Sequence, residues 1–130
     1  MWRFFYGSAT LQRVLVIHIH YMRISIQATG ITLTDALQSQ LEKRCAELQR
    51  ITRSFEDGEE LLLRVEIARA TRHHKKGEEV YYVEYSISIR KKIIRIEQHE
   101  SDLRRAIDMA QQRMKSALVE YKDRLKEKGV

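Results

Sequence analysis

Two sets of side chains in this 130-residue sequence are worth weighing for chemistry, the histidines and the cations. His73 and His74 are adjacent. In extended backbone such neighbours project to opposite faces, and no Asp, Glu or Cys stands at ligand spacing beside them, so they do not make a metal site. His18 and His20 share a face if their segment is a strand, yet two ligands without a third remain unassigned. The sequence has no glycine-rich phosphate loop, no G-x-S-x-G elbow and no carboxylate pair with an acid/base partner. No catalytic residues, cofactor or small-molecule substrate are expected, and the chain reads as a non-enzyme.

The cations are better organised. Arg69, Arg72, Lys75 and Lys76 run together with no acid before Glu78, and Arg90, Lys91, Lys92 and Arg95 form a second group. A third lies in the C-terminal stretch "MKSALVEYKDRLKEK", where Met114, Leu118, Tyr121 and Leu125 recur at helical spacing. Counted round that helix from Leu103, Arg104, Lys115, Lys122 and Lys126 fall on one flank at about 100° to 140°, and Arg113 and Arg124 on the other. Two readings are open for them. Long cationic side chains can drape over the sheet and keep the protein soluble. Alternatively, repeated Arg and Lys contacts to phosphates give a small basic domain affinity for structured RNA without reading its sequence.

A net charge of +6, with 32% of residues charged, favours a polyanionic partner. The length suits one hydrophobic core. Cys45 is the only cysteine, which excludes an intramolecular disulfide and fits a reducing cytosol; it lies inside an apolar stripe and reads as a small core residue. No apolar stretch is long enough to cross a membrane as a helix.

Regular patterning begins at Met22, where "MRISIQATG" alternates Ile24 and Ile26 against Arg23, Ser25 and Gln27. Helix one is expected at about residues 35 to 52, with Leu37, Leu41, Cys45, Leu48 and Ile51 on one stripe and Thr34 as its N-cap. Strand two is "LLLRVEIARA". After the polar loop "TRHHKKGEE", "VYYVEYSISI" and "RKKIIRIEQ" form a hairpin, and Ser101 or Asp102 caps a last helix over roughly 102 to 127. The order β-α-β-β-β-α predicts an α+β two-layer sandwich, a four-stranded sheet with two helices on one face.

Residues 1–21 stand apart. Leu15, Ile17 and Ile19 occupy odd positions whereas Ile24 and Ile26 occupy even ones, so one continuous strand would swap its buried face. A secretory signal is disfavoured by the two histidines and the missing A-x-A site. The expectation is an upstream extension of doubtful status, from a start codon placed too early, followed by a single domain over 22–130.

The segments "ITLTDAL", "TRHHKKGEEVYYVE" and "DLRRAIDMAQQRMKSALVEYKDRL" together resemble the ribosome hibernation promoting factors and ribosome-associated inhibitors, also called ribosomal subunit interface proteins. Asp102, Ala106, Ile107, Asp108, Arg113, Met114, Leu118, Lys122, Arg124 and Leu125 fit the family pattern in order. The resemblance runs from Met22 to about Lys126. It implies a fold similar to double-stranded RNA-binding domains and a cytoplasmic protein of the short form, acting as a monomer. It also implies binding to small-subunit rRNA in the channel used by mRNA and tRNA, blocking translation under stress or in stationary phase. Lys75, Lys76, Arg90, Lys91, Lys92, Arg113, Lys122 and Arg124 are the rRNA-facing positions carried over, and Lys115 and Lys126 on the helix flank complete the candidate set. Arg104 stands where the family has an aromatic, and Ser116-Ala117 replaces an Arg-Gln pair, which shifts contacts toward Lys115. The alternative is a general binder of structured RNA without ribosome preference.

Overall fold

The computed structural model describes residues 3–6, 12–19, 22–53, 61–70 and 80–128. The strands are β1 (Arg3–Tyr6), β2 (Gln12–Ile19), β3 (Met22–Thr29), β4 (Leu61–Ala70), β5 (Val80–Ile89) and β6 (Lys92–Glu100), and the helices are α1 (Asp35–Thr52) and α2 (Leu103–Glu127). From Met22 onward the order is the expected β-α-β-β-β-α. All six strands form one sheet in chain order, antiparallel except for β3 beside β4. That pair is parallel because α1 carries the chain back to the starting end of the sheet.

The α+β class stands, but among the described residues the strand count rises from four to six, because β1 and β2 join the sheet ahead of Met22. The change of parity between Ile17 and Ile24 is a hairpin rather than a boundary. Ile19 pairs with Met22, Ile17 with Ile24 and Leu15 with Ile26, so only His20 and Tyr21 lie between the paired strands. In an antiparallel pair, residues directly opposite share a face, and this register sets odd positions of β2 against even positions of β3. Leu15 (0% exposed) and Ile17 (3%) accordingly join the core.

The core lies between the sheet and the helices. Met22, Ile24, Ile26, Leu63, Val65, Ile67, Val83, Tyr85, Ile87 and Ile89 are buried from the sheet, and Leu37, Leu41, Cys45, Leu48, Ile107, Met114 and Leu118 from the helices. Each lies on the apolar side that its period assigns. Complete burial raises the Cys45 thiol to about 12, so it stays protonated and packs as an apolar residue.

Both helices start with a side-chain cap. Thr34 Oγ1 accepts the Leu37 N–H at 3.2 Å, and Asp102 Oδ1 accepts the Arg104 and Arg105 N–H groups at 3.0 and 3.4 Å. The helices run parallel and are joined by polar contacts in step along their lengths. Asp108 Oδ1 accepts from Arg44 Nε at 2.7 Å and from Gln40 Nε2 at 3.0 Å. One turn on, Gln111 Nε2 donates to Glu47 Oε2 at 2.9 Å. Burial disfavours an ionised Asp108, yet the hydrogen bonds from Arg44 and Gln40 outweigh it and hold the carboxyl below its ordinary range.

Candidate nucleic-acid interface

Since Glu47 is level with Gln111, α1 ends at Thr52 while α2 continues to Glu127, an overhang of roughly 15 Å at 1.5 Å per residue. The overhang carries Lys122, Arg124, Lys126 and Lys128, with Tyr121 and Leu125 packed against the core. β6 leads into α2 through Glu100–Asp102, so α2 returns antiparallel to β6 and its C-terminal half comes back over the start of that strand. The turn between β5 and β6 is at that start.

This turn is made by Arg90 and Lys91, with φ of 47° and 68°. Two-residue hairpin turns with positive φ at both positions favour Asn-Gly, because a Cβ in the left-handed region costs about 1 to 2 kcal/mol per residue. Here both positions hold long cations. Beside them the Lys92 ammonium sits 4.8 Å from the centroid of the Tyr121 ring, a cation–π contact that fastens the turn to the overhang.

The structure thus unites two of the three cation groups found in the sequence. Arg90, Lys91 and Lys92 share one end of the molecule with Lys122, Arg124 and Lys126. Arg50 and Arg53, at the last turn and C-cap of α1, belong to the same end. Sequence reasoning missed these two; their exposed positions off the apolar stripe were the available signal. Part of this charge offsets the carbonyl ends of two parallel helices, an effect of about 0.3 to 1 kcal/mol per cation in the last turn. Arg90 and Lys91 are on no helix, so that effect does not explain them.

The other candidates are placed differently. Lys75 and Lys76 lie outside the described residues; the paired Ala70 and Val80 that bracket their loop are at the opposite end of the sheet from the Arg90–Lys91 turn. Lys115 is exposed midway along α2. Arg113 has structural work, since its NH1 donates to the Glu97 carbonyl at 2.7 Å and to Gln98 Oε1 at 2.8 Å, holding α2 on β6. Arg124 is paired with Glu120 one turn back.

Arg95, grouped with the turn by sequence, points to the outer face of the sheet. It grips Glu84 through Nε at 2.9 Å and NH2 at 3.0 Å, and lies 3.3 Å from Glu97. Tyr82 also donates to Glu84. Partial burial opposes ionisation of Glu84, but these two donors prevail and lower its pKa. Burial, then the bond to Glu84, raises the Tyr82 phenol to about 12. With Glu66 opposite Glu84 and Glu84 opposite Glu97, and with Arg23, Arg64 and Arg95 on the same side, this outer face mixes both signs and its Arg95 is held by acids of its own sheet.

Among the described residues no three His, Cys, Asp or Glu side chains converge to hold a metal, and no helix is long and apolar enough to cross a membrane. The arrangement supplies charge at fixed positions.

A solved structure of the Thermus thermophilus Protein Y N-terminal domain is similar at 26% identity and a TM-score of 0.56, over 78% of this chain and 96% of that one. A ribosomal subunit interface protein from Coxiella burnetii shares the fold at 16% identity and a TM-score of 0.53, over 78% and 97%. No curated protein matches the sequence. The family model described as sigma 54 modulation protein / S30EA ribosomal protein matches residues 24–126, nearly the whole patterned region and both helices. The chain belongs to that family.

Proposed function

We propose that this chain is a ribosome hibernation factor, binding the small ribosomal subunit in the channel used by mRNA and tRNA and blocking translation by occupying it, under stress or in stationary phase. Membership of the S30EA ribosomal protein family supports the ribosome as partner. The observation that carries the site is the convergence of the Arg90–Lys92 turn with the cationic overhang of α2. Arg90, Lys91, Lys92, Lys122, Arg124 and Lys126 meet rRNA phosphates there, and Lys115 extends the contact along α2. Arg113 adds to it while anchoring the helix. Lys75 and Lys76, in the segment between Ala70 and Val80, supply a second contact. A rigid domain held in this way excludes other ligands from its volume. One copy acts per subunit, in the cytoplasm, and no bond is made or broken.

Sedimentation with separated ribosomal subunits tests this reading. The chain should travel with the small subunit, and an excess of bare RNA duplex should fail to displace it. Equal competition by the duplex would establish a general binder of structured RNA instead. The double substitution Lys122→Gln and Arg124→Gln should weaken the complex and restore translation in an inhibited extract. Each lost phosphate contact should flatten the slope of log K against log[salt] by roughly 0.7 to 0.9.

A further inference from the structure

β6 is the last strand of the sheet: β5 pairs one edge, and among the described residues no strand pairs the other. Two observations fix the orientation of its backbone. Ile89 and Lys92 flank the two-residue turn and so form a hydrogen-bonded pair, which aims the N–H and C=O groups of alternate residues from Lys92 onward at β5. The Glu97 carbonyl, in the other set, accepts from Arg113 on α2. Ile93, Arg95, Glu97 and His99 therefore present their backbone groups to the open edge.

The charge along this strand is ordered. Lys92 and Arg95 precede Ile96, and Glu97 and Glu100 follow it. An antiparallel second copy centred on Ile96 would set Lys92 against the partner's Glu100 and Arg95 against the partner's Glu97, with the two Ile96 side chains meeting on the axis. Slipping by two residues opposes Arg95 to itself or Glu97 to itself. A one-residue slip pairs core-facing with outward-facing positions. One register satisfies both charge and face, and it is also the register in which the outward backbone groups of Arg95 and Glu97 meet as a hydrogen-bonded pair. Charged edges ordinarily block strand addition; this one blocks strangers and suits its own copy.

We propose that β6 is a self-complementary edge through which two copies of the free chain pair antiparallel into a two-fold dimer with one continuous sheet. The ground behind the edge fits this occupant. A cleft of about 450 Å³ between β6 and α2 is lined by Ile96, Met109, Arg113, Ser116, Ala117 and Glu120. Its small residues, Ser116 and Ala117, leave room for a neighbouring α2. Arg113 and Glu120 bracket them with opposite charges, so an antiparallel partner brings each toward its opposite. On the outer face Ile93, 66% exposed, would gain cover from the partner's His99. A carbonyl oxygen has two lone pairs, so Glu97 can keep Arg113 and still accept a partner N–H. The proposal does not depend on the ribosomal reading.

Sedimentation equilibrium of the full chain, over micromolar concentrations and at low and high salt, tests it with charge-swap variants. The parent should dimerise, more weakly in high salt. Arg95→Glu and Glu97→Arg should each raise the dimer dissociation constant about tenfold or more, since each opposes like charges twice across the axis. Mixing the two variants restores every pair and should recover a heterodimer, and the double swap should dimerise with itself. Circular dichroism of each variant reports whether the fold persists. Lys92→Glu and Glu100→Lys, alone and mixed, form a second set should Arg95 prove necessary for folding. A parent that stays monomeric to about 100 μM, or single reversals and mixtures that behave alike, would overturn the proposal.

Discussion

Lys92 and Tyr121, 29 positions apart in sequence, meet as ammonium over ring at 4.8 Å, and this contact ties the β5–β6 turn to the overhanging end of α2. Replacing the ring by Tyr121→Leu keeps apolar bulk and removes the cation–π term, worth about 0.5 to 1 kcal/mol at an exposed site. A small drop in the thermal midpoint is expected. Small-subunit affinity should fall by a larger factor than stability, because the turn and the helix no longer hold one geometry. Equal changes in both would mean that the contact serves folding alone.

The turn itself separates stability from binding. Arg90→Asn with Lys91→Gly installs the residues that a doubly left-handed turn prefers and relieves roughly 2 kcal/mol of backbone cost. The variant should melt higher than the parent yet bind small subunits more weakly, with a shallower salt dependence. Unchanged binding would remove Arg90 and Lys91 from the interface.

Leu15 pairs opposite Ile26 and is fully buried, so the segment before Met22 contributes to the core. Leu15→Ala should cost about 2 to 5 kcal/mol in denaturant titration. Deleting residues 1–21 should cost at least as much, since it also bares the edge of β3. A deletion variant as stable as the parent would show that β2 adds nothing to folding.

Asp108 holds α1 and α2 in step through Arg44 and Gln40, and its pKa is lower in the folded chain than in the unfolded one. A depressed carboxylate stabilises above its unfolded pKa of about 3.9, and the stabilisation is lost as pH falls through the folded value. The pair is partly exposed, so about 1 kcal/mol or less is expected. Asp108→Asn should therefore melt below the parent at pH 7, with the gap closing below about pH 4. A gap that does not vary with pH would assign the role to shape rather than charge.

Local chemistry made much of this architecture legible in the sequence. Alternation assigned β3 to β6 their buried faces, a 3.6-residue period assigned the stripes of α1 and α2, and Thr34 and Asp102 marked the helix starts, because each signal is complete within a few residues. The parity change before Met22 was visible too, but the same parity fits a boundary and a hairpin. Only the pairing of Ile17 with Ile24 decides between them. Local patterning did not show which cations share a surface. A charge's neighbours depend on contacts between distant segments: Lys92 gains Tyr121 and Arg113 gains Glu97, whereas Arg95 turns to Glu84 and away from the cluster that its sequence position suggested. Sequence set the kind and number of charges on each element. The return of α2 over the start of β6 selected which of them share a surface, because that path is fixed by burying Ile107, Met114 and Leu118 and not by any preference of the cations.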